Sequence, residues 1–160
     1  SLTMQFEPGH DVTISSTLIR QFLRDGAIDR ATACLGRPYA IVGRVVTGYQ
    51  RGRALGFPTA NINPQGQMIP ADGVYAARAT LDNRHLPAAV NVGAPPTFDT
   101  PTRTIEAHLL GFEGNLYGRT LRIEFLRRLR PQKPFDSPDD LKKQIQRDVR
   151  HIRAIVKTTA

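Results

Sequence analysis

A short stretch near the middle of the chain combines residue types that suit the binding of an anion and a metal ion. It reads Gly52-Arg53-Ala54-Leu55-Gly56-Phe57-Pro58-Thr59-Ala60-Asn61. Glycines let backbone N–H groups approach an anion closely, because no Cβ stands in the way. Pro58 fixes its own φ and favours extended backbone before it, so Thr59 and Asn61 are predicted to point to the same side. Two neutral oxygen ligands side by side suit a hard cation such as Mg²⁺ when phosphate already partly neutralises it.

The same stretch has a structural alternative. A Gly/Pro loop that leads into a strand would look similar, with Thr59 and Asn61 bonding to nearby backbone groups. The spacing alone favours this alternative, because short motifs of this kind occur often by chance. The choice between the two stays open on these residues alone.

A second candidate site lies on an alternating segment, Thr104–Leu109. The apolar side chains at 105, 107 and 109 are predicted to face a core, and the polar ones at 104, 106 and 108 share the other face. Glu106 beside His108 on a rigid strand would make a plausible general base. The alternative is a solvated outer face with a weak ion pair, which alternation alone favours.

Several familiar kinds of site are missing from the sequence. It contains neither a G-x-x-x-x-G-K-[ST] phosphate loop nor a G-x-G-x-x-G fingerprint. Four scattered histidines and the single cysteine, Cys34, do not have zinc-site spacing. One cysteine also excludes an internal disulfide framework and favours a reducing compartment, so we expect a cytoplasmic protein.

The composition limits the class of partner. The 160 residues suit one domain, or one domain with an appendage, and the formal charge of +8 rests mostly on arginine. Such a charge favours anionic partners such as nucleotides. We expect no nucleic-acid partner, because no basic block is interleaved with aromatic residues and tryptophan is absent. No apolar run approaches the ~20 residues of a membrane span, and no signal peptide is recognisable.

The pattern of apolar residues changes along the chain. The first 37 residues are predicted to be helical, with a helix that begins after Ser15 and a second helix from Ile28 to Leu35. Period-two alternation and turn residues follow, which predict an antiparallel barrel. The predicted strands are Ala40–Thr47, Gly73–Leu81, Leu86–Val92, Thr102–Leu110 and Thr120–Leu126.

A long amphipathic helix is predicted at the C-terminus. Ser137 is a suitable N-cap, Pro138 suits the first helical position, and two aspartates follow. The apolar residues at 141, 145, 149, 152 and 156 have helical spacing, so this face is predicted to pack on the barrel.

Taken in order, the motifs resemble those of the riboflavin kinase family. The first is the Gly52–Asn61 stretch, which resembles the family signature. The later ones are Asp72-Gly73-Val74-Tyr75, Asn91-Val92-Gly93, Glu106-Ala107-His108, Leu116-Tyr117-Gly118, and Arg130-Pro131 before Phe135-Asp136-Ser137. In addition, Ile14–Arg20 resembles the final motif of the FMN adenylyltransferase module in bacterial bifunctional FAD synthetases.

The resemblance implies a mainly β fold, a six-stranded antiparallel Greek-key β-barrel with a C-terminal α-helix, preceded by a small helical remnant. Residues 1–37 would be the tail of a truncated adenylyltransferase module and residues 38–160 the kinase barrel. The implied reaction transfers the γ-phosphoryl group of ATP to the 5′-hydroxyl of riboflavin, giving FMN. We expect no FAD synthesis, because only the tail of the other module is recognisable, although the full-length protein would carry that module.

The resemblance also implies roles for individual residues. Glu106 would be the base, and Thr59 and Asn61 would hold Mg²⁺ and phosphate. The residues implied around the ATP phosphates are Gly48, Arg51, Gly52, Arg53, Gly56 and Pro58. Those implied near the flavin are Asn91, Gly93, Pro96, Thr97, Phe98, Leu116, Tyr117 and Arg130.

Some alternatives stay open beside these implications. The segment around Pro96 also fits a simple turn between strands, and Tyr117 also fits packing on the barrel rim. Gln132 departs from the family, which usually has glutamate there; the change would remove an ion pair near the helix. The competing functions are a noncatalytic flavin-binding barrel and, less in keeping with the sequence, a nucleic-acid-binding barrel.

Overall fold

The structure is a computed structural model, and it describes residues 1–46, 57–94 and 103–159. Its centre is a closed antiparallel barrel with the strand order β3-β4-β7-β6-β5-β8. These strands are β3 (Ala40–Val46), β4 (Ala60–Ile62), β5 (Gly73–Leu81), β6 (Arg84–Gly93), β7 (Thr104–Leu109) and β8 (Thr120–Arg130). Because β8 lies beside β5 after the β5-β6-β7 meander, the order is that of a Greek key. The predicted fold class is confirmed.

The barrel interior follows from the period-two alternation of its strands. In β7 the side chains alternate between half-buried and buried, with Ile105, Ala107 and Leu109 inside. The turn between β5 and β6 uses Asp82 and Asn83, which both have positive φ, as expected for a two-residue hairpin that matches the strand twist.

The core contains one fully buried tyrosine, Tyr75. Tyr75 has no exposed surface and meets Phe125 edge-to-face at 5.2 Å between ring centroids. Its hydroxyl donates to the carbonyl oxygen of Ala71 at 2.5 Å. Burial raises the pKa of the Tyr75 phenol, so the group stays protonated at neutral pH and keeps this hydrogen bond.

The N-terminal segment contains more than the predicted helices. A hairpin of β1 (Thr3–Glu7) and β2 (His10–Thr13) precedes them, so the prediction of a purely helical segment is wrong. Gly9 in the turn has φ +82°, which glycine adopts without strain. The alternation of Met4 and Phe6 with polar residues was the signal for β1, but two short strands carry little periodicity.

The two predicted N-terminal helices are present, α1 (Ser16–Asp25) and α2 (Ile28–Leu35). Ser15 caps α1 by accepting from the Leu18 backbone N–H, and Gly26 ends it in the left-handed conformation. Phe22, Leu23, Ile28 and Ala31 belong to the same apolar cluster as the barrel interior. This segment therefore packs directly on the barrel.

The C-terminal helix α3 (Pro138–Thr158) covers the outside of the barrel. Ser137 caps it by accepting from the Asp140 backbone N–H, as predicted. Ile152 and Ile155 are buried on Ala76 and Leu110. Strand β8 runs four residues beyond its predicted end because its polar second half still pairs with β5 across two register shifts.

Candidate active site

Three neighbouring strands bring one polar residue each into a single row on the outer wall of the barrel. Asn61 of β4 lies opposite Glu106 of β7, and Glu106 lies opposite Asn91 of β6. The residues on either side of each, such as Ile105 and Ala107, face the interior, so the three polar side chains share the outer face. Adjacent strands are about 4.8 Å apart. Glu106 is therefore on the middle strand, and the backbones of the two flanking strands are about 10 Å apart.

Burial differs along this row. Asn61 is only 8% exposed, Glu106 is half-buried, and Asn91 is exposed. The Asn61 end is thus the desolvated end, where an electrostatic interaction is strongest. The Asn91 end is open to solvent and accessible to a larger molecule.

Thr59 supports the expectation of a ligand at the buried end. Its Oγ1 is buried and has no hydrogen-bond partner within residues 1–46, 57–94 and 103–159. A buried hydroxyl without a partner is costly and calls for an explanation. Within the same described ranges, no three His, Cys, Asp or Glu side chains gather to hold a metal. A divalent cation at Thr59 and Asn61 would therefore need further oxygens from a phosphate, and these two neutral side-chain oxygens fit that combination.

His108 has a backbone hydrogen-bond partner. Its Nδ1 lies 2.9 Å from the carbonyl oxygen of Pro58, and because a carbonyl only accepts, Nδ1 carries the proton. The ring of Phe57 meets His108 edge-to-face at 5.6 Å. Through these two contacts, His108 connects β7 to residues Phe57 and Pro58, which precede Thr59. A cleft of about 470 Å³ adjoins it, lined by Pro58, His108, Leu109, Gly111, Phe112 and Glu113.

Tyr117 lies at a second cleft, of about 400 Å³, on the side of β3. The residue is 64% exposed, which does not agree with packing on the barrel rim. Its backbone N–H donates to Asn115 Oδ1, while Leu116 packs against the core. An exposed ring beside a cleft suits stacking on a flat heterocycle. The other lining residues are Arg44, Val45, Val46, Asn63, Gln65 and Gly118.

Arg130 is engaged by the C-terminal helix. Its Nη2 lies 2.9 Å from Asp148 Oδ2, its Nη1 donates to the carbonyl oxygen of Pro131, and Gln144 also donates to Asp148. With its guanidinium held in this way, Arg130 joins β8 to α3. Sequence reasoning missed Asp148, although an acidic residue on the apolar face of a helix was a usable signal.

Asp148→Ala is expected to lower the free energy of unfolding by about 3 kcal/mol, because Arg130 would keep a half-buried charge without its carboxylate. Urea denaturation followed by circular dichroism measures the loss. Asp139→Ala removes an exposed carboxylate from the first turn of the same helix and should cost under about 1 kcal/mol. Equal losses in the two variants would contradict the role given to the pair.

Several predicted site residues lie outside the described residues. They are Gly48, Arg51, Gly52, Arg53 and Gly56, predicted around the ATP phosphates, and Pro96, Thr97 and Phe98, predicted near the flavin. Their roles stay predictions. Gly93, at the end of β6, is buried and lies opposite Thr104.

One family of known proteins matches most of this chain. Residues 35–156, which include the whole barrel and most of α3, match the Flavokinase family, described as riboflavin kinase. The match places the chain among the kinases, a class of transferases. Since it covers most of the sequence, the chain belongs to the riboflavin kinase family.

Individual relatives support the same assignment. The bifunctional riboflavin kinase/FMN adenylyltransferase of Haemophilus influenzae is 42% identical over 142 residues, which cover 88% of this chain and 46% of that protein. The riboflavin kinase structure from Trypanosoma brucei is 25% identical, with a TM-score of 0.56, and covers 75% of this chain and 80% of that one. The chain spans about half the length of the curated relatives it matches.

One solved structure with higher similarity carries a different description. A macrolide-efflux protein of Streptococcus pneumoniae is 37% identical with a TM-score of 0.82, over 88% of this chain and 47% of that chain. The similarity extends the shared fold to that protein. Among the described residues of the present chain, no helix is long and apolar enough to cross a membrane.

Proposed function

We propose that this chain transfers the γ-phosphoryl group of ATP to the 5′-hydroxyl of riboflavin and releases FMN and ADP. The observation that carries the proposal is the row of Asn61, Glu106 and Asn91 on adjacent strands. In this row the Glu106 carboxylate lies on the strand between Asn61 and Asn91. The buried amide of Asn61 suits a metal-bound phosphate, and the exposed amide of Asn91 suits a larger alcohol substrate. Membership of the riboflavin kinase family supports the same reaction.

Glu106 is proposed as the group that takes the hydroxyl proton. As the ribityl oxygen bonds to the γ-phosphorus, its proton passes to the carboxylate and the bond from phosphorus to the leaving ADP oxygen breaks. Phosphoryl transfer depends mainly on positioning and charge neutralisation, so one carboxylate on a rigid strand suffices to orient the alcohol.

Thr59 and Asn61 are proposed to hold a divalent cation, specifically Mg²⁺. The buried Oγ1 of Thr59 and the buried side chain of Asn61 support this assignment. When bound, the cation neutralises phosphate charge that develops during transfer. The protein's own contribution is to keep both side chains largely out of solvent.

The remaining substrate contacts follow the predicted order of motifs. The glycines and arginines at 48, 51, 52, 53 and 56 are proposed to bind the ATP phosphates through backbone N–H groups and guanidinium charge. Asn91 and Gly93, with Thr97 and Phe98, are proposed on the flavin side. Tyr117 is proposed to contact an aromatic ring system. Because the guanidinium of Arg130 is held by Asp148, we propose a supporting role for Arg130.

The test is FMN formation by the purified chain. Riboflavin, ATP and Mg²⁺ are incubated with the protein, and the flavins are separated by chromatography. Appearance of FMN with equal release of ADP supports the proposal. Riboflavin binding without ATP consumption would support the noncatalytic flavin-binding barrel in its place, and salt-sensitive binding to oligonucleotides alone would overturn both.

A parallel incubation of FMN with ATP tests for FAD synthesis. The relatives that carry the bifunctional name make an adenylyltransferase module in the complete protein a natural proposal. We expect no FAD from residues 1–160, because the barrel residues account for phosphoryl transfer alone. The cytoplasmic location stays a prediction.

A further inference from the structure

Five consecutive backbone carbonyl groups, those of residues 68–72 between β4 and β5, each accept a hydrogen bond from a side chain. The donors are Tyr39 for Met68, Arg103 for Ile69 and Pro70, Tyr75 for Ala71, and Arg128 for Asp72. In addition, the Ala71 backbone N–H donates to the carbonyl oxygen of Leu23 in α1. These bonds restrain a segment that would otherwise be an ordinary connection between strands. Residues 68–72 are therefore a fixed part of the barrel.

Arg103, the residue before β7, directs all three of its guanidinium nitrogens to this segment. Its Nε donates to Asp72 Oδ1 at 2.7 Å, its Nη1 to the carbonyl oxygen of Ile69 at 3.4 Å, and its Nη2 to that of Pro70. The ion pair with Asp72 alone would contribute little, because both side chains are partly exposed. Two backbone acceptors on a fixed segment add direction, which suits the planar fork of an arginine.

The strand register shows where the Arg103 side chain runs. Gly73 of β5 lies opposite Val92 of β6, and Val92 lies opposite Ile105 of β7. Asp72 therefore precedes β5 at the end of the barrel where β6 finishes and β7 begins. Since β6 lies between β5 and β7, the Arg103 side chain crosses the end of β6. It joins the start of β7 to a strand that β7 does not contact directly.

The start of β7 needs such support more than its middle does. Strand β4 pairs with β7 over residues 105–107, so Thr104 lies beyond that pairing. Thr104 is held by β6, where it lies opposite Gly93 and donates from Oγ1 to the Gly93 carbonyl oxygen at 3.1 Å. A strand end with one neighbour opens more readily than a strand paired on both sides. Glu106 is only two residues from this end.

The motif Asp72-Gly73-Val74-Tyr75 serves the same segment. Asp72 accepts from Arg103, and Tyr75 donates to the Ala71 carbonyl oxygen. A Cβ at Gly73 would lie 2.8 Å from Arg128 Nε, so a glycine leaves room for the arginine that binds the Asp72 carbonyl oxygen. Three of the four motif residues thus fix the segment that Arg103 binds.

We propose that Arg103 is a positioning residue for phosphoryl transfer: by binding residues 69–72, it holds the start of β7 and keeps Glu106 in the row with Asn61 and Asn91. This inference rests on the proposed function. Arg103 acts through the strand and does not touch the reacting atoms. Loss of its side chain leaves the Glu106 carboxylate in place for only part of the time.

The kinetic test separates catalysis from nucleotide binding. Arg103→Ala is expected to lower kcat for FMN formation about tenfold, because a small displacement of a reacting group is costly. The dissociation constant of ADP should stay within about twofold, since the proposed cation ligands belong to β4 and the residue before it. Arg103→Lys and Asp72→Ala should each lower kcat about threefold, because each keeps part of the contact. Asp72→Ala added to Arg103→Ala should cause no further loss.

Hydrogen exchange tests the same inference without any substrate. Backbone amides of residues 104–106 are expected to exchange about tenfold faster in Arg103→Ala, while residues 77–81 of β5 keep their rates. If the wild-type chain forms no FMN, the proposed reaction fails, yet the exchange rates still show whether Arg103 holds β7. Unchanged exchange at 104–106 would overturn the positioning role even in an active kinase.

A matched control lies at the opposite end of β5. Arg119 is the residue before β8 and pairs with Asp82 in the β5–β6 turn, as Arg103 precedes β7 and pairs with Asp72. Arg119→Ala should leave kcat and the exchange of residues 104–106 unchanged. The proposal is overturned if Arg103→Ala keeps full kcat, if kcat and ADP affinity fall equally, or if the losses from Arg103 and Asp72 multiply. Should Arg103→Ala not fold, the threefold losses in Arg103→Lys and Asp72→Ala decide.

Discussion

Glu106→Gln is expected to lower kcat for FMN formation by about 10²- to 10⁴-fold, the usual contribution of a positioned base. The amide keeps the shape of the side chain and still accepts a hydrogen bond, but it does not take up the hydroxyl proton. Nucleotide affinity should stay within about threefold, because the residues proposed to bind ADP are Thr59, Asn61 and the glycines and arginines at 48, 51, 52, 53 and 56. Steady-state FMN production and calorimetric titration with ADP measure the two quantities.

The barrel offers a control with the same chemical change. Glu124 of β8 also lies on the outer face and is half-buried, 3.9 Å from an Arg78 nitrogen. Glu124→Gln should leave kcat within about twofold, because exposed or half-exposed ion pairs contribute little. If Glu106→Gln retains full kcat with an unchanged melting temperature, Glu106 is not the base.

Thr59→Val is expected to separate stability from activity. The substitution replaces the hydroxyl by a methyl group of similar size. Because Thr59 Oγ1 is buried without a partner among the described residues, its removal should leave the free energy of unfolding unchanged or raise it by up to about 1 kcal/mol. In contrast, kcat/KM should fall about a hundredfold, since one of the two oxygens proposed to hold the cation is lost. Asn61→Ala should lower activity at least as much.

Titration with Mg²⁺ identifies the cause of the loss. The concentration for half-maximal activity should rise in Thr59→Val and in Asn61→Ala, because each variant lacks one proposed ligand. Thr80→Val serves as the control, since the Thr80 hydroxyl bonds to His85 on the surface of the β5–β6 hairpin. A Thr59→Val variant that unfolds more readily and keeps its Mg²⁺ dependence would show that the hydroxyl is structural.

Much of the architecture follows from short-range patterns. Ser15, Gly26 and Ser137 set helix ends through bonds to residues three or four positions away, so the sequence alone predicts α1 and α3 well. Alternation along β7 likewise places Glu106 on the outer face. The periodicity of apolar residues did not predict the shortest strands, which are those of the β1–β2 hairpin and the three-residue β4.

The sequence by itself thus determined which residue types were available and on which face of each strand they lie. The tertiary structure alone decided which of them meet. Closure of the barrel pairs β7 with both β4 and β6, and this register aligns Asn61, Glu106 and Asn91. The tertiary structure also pairs Arg130 with Asp148 and brings Gln132 within hydrogen-bond distance of Asn91. Local propensity carries no information about such pairings, because register depends on how all six strands share one core.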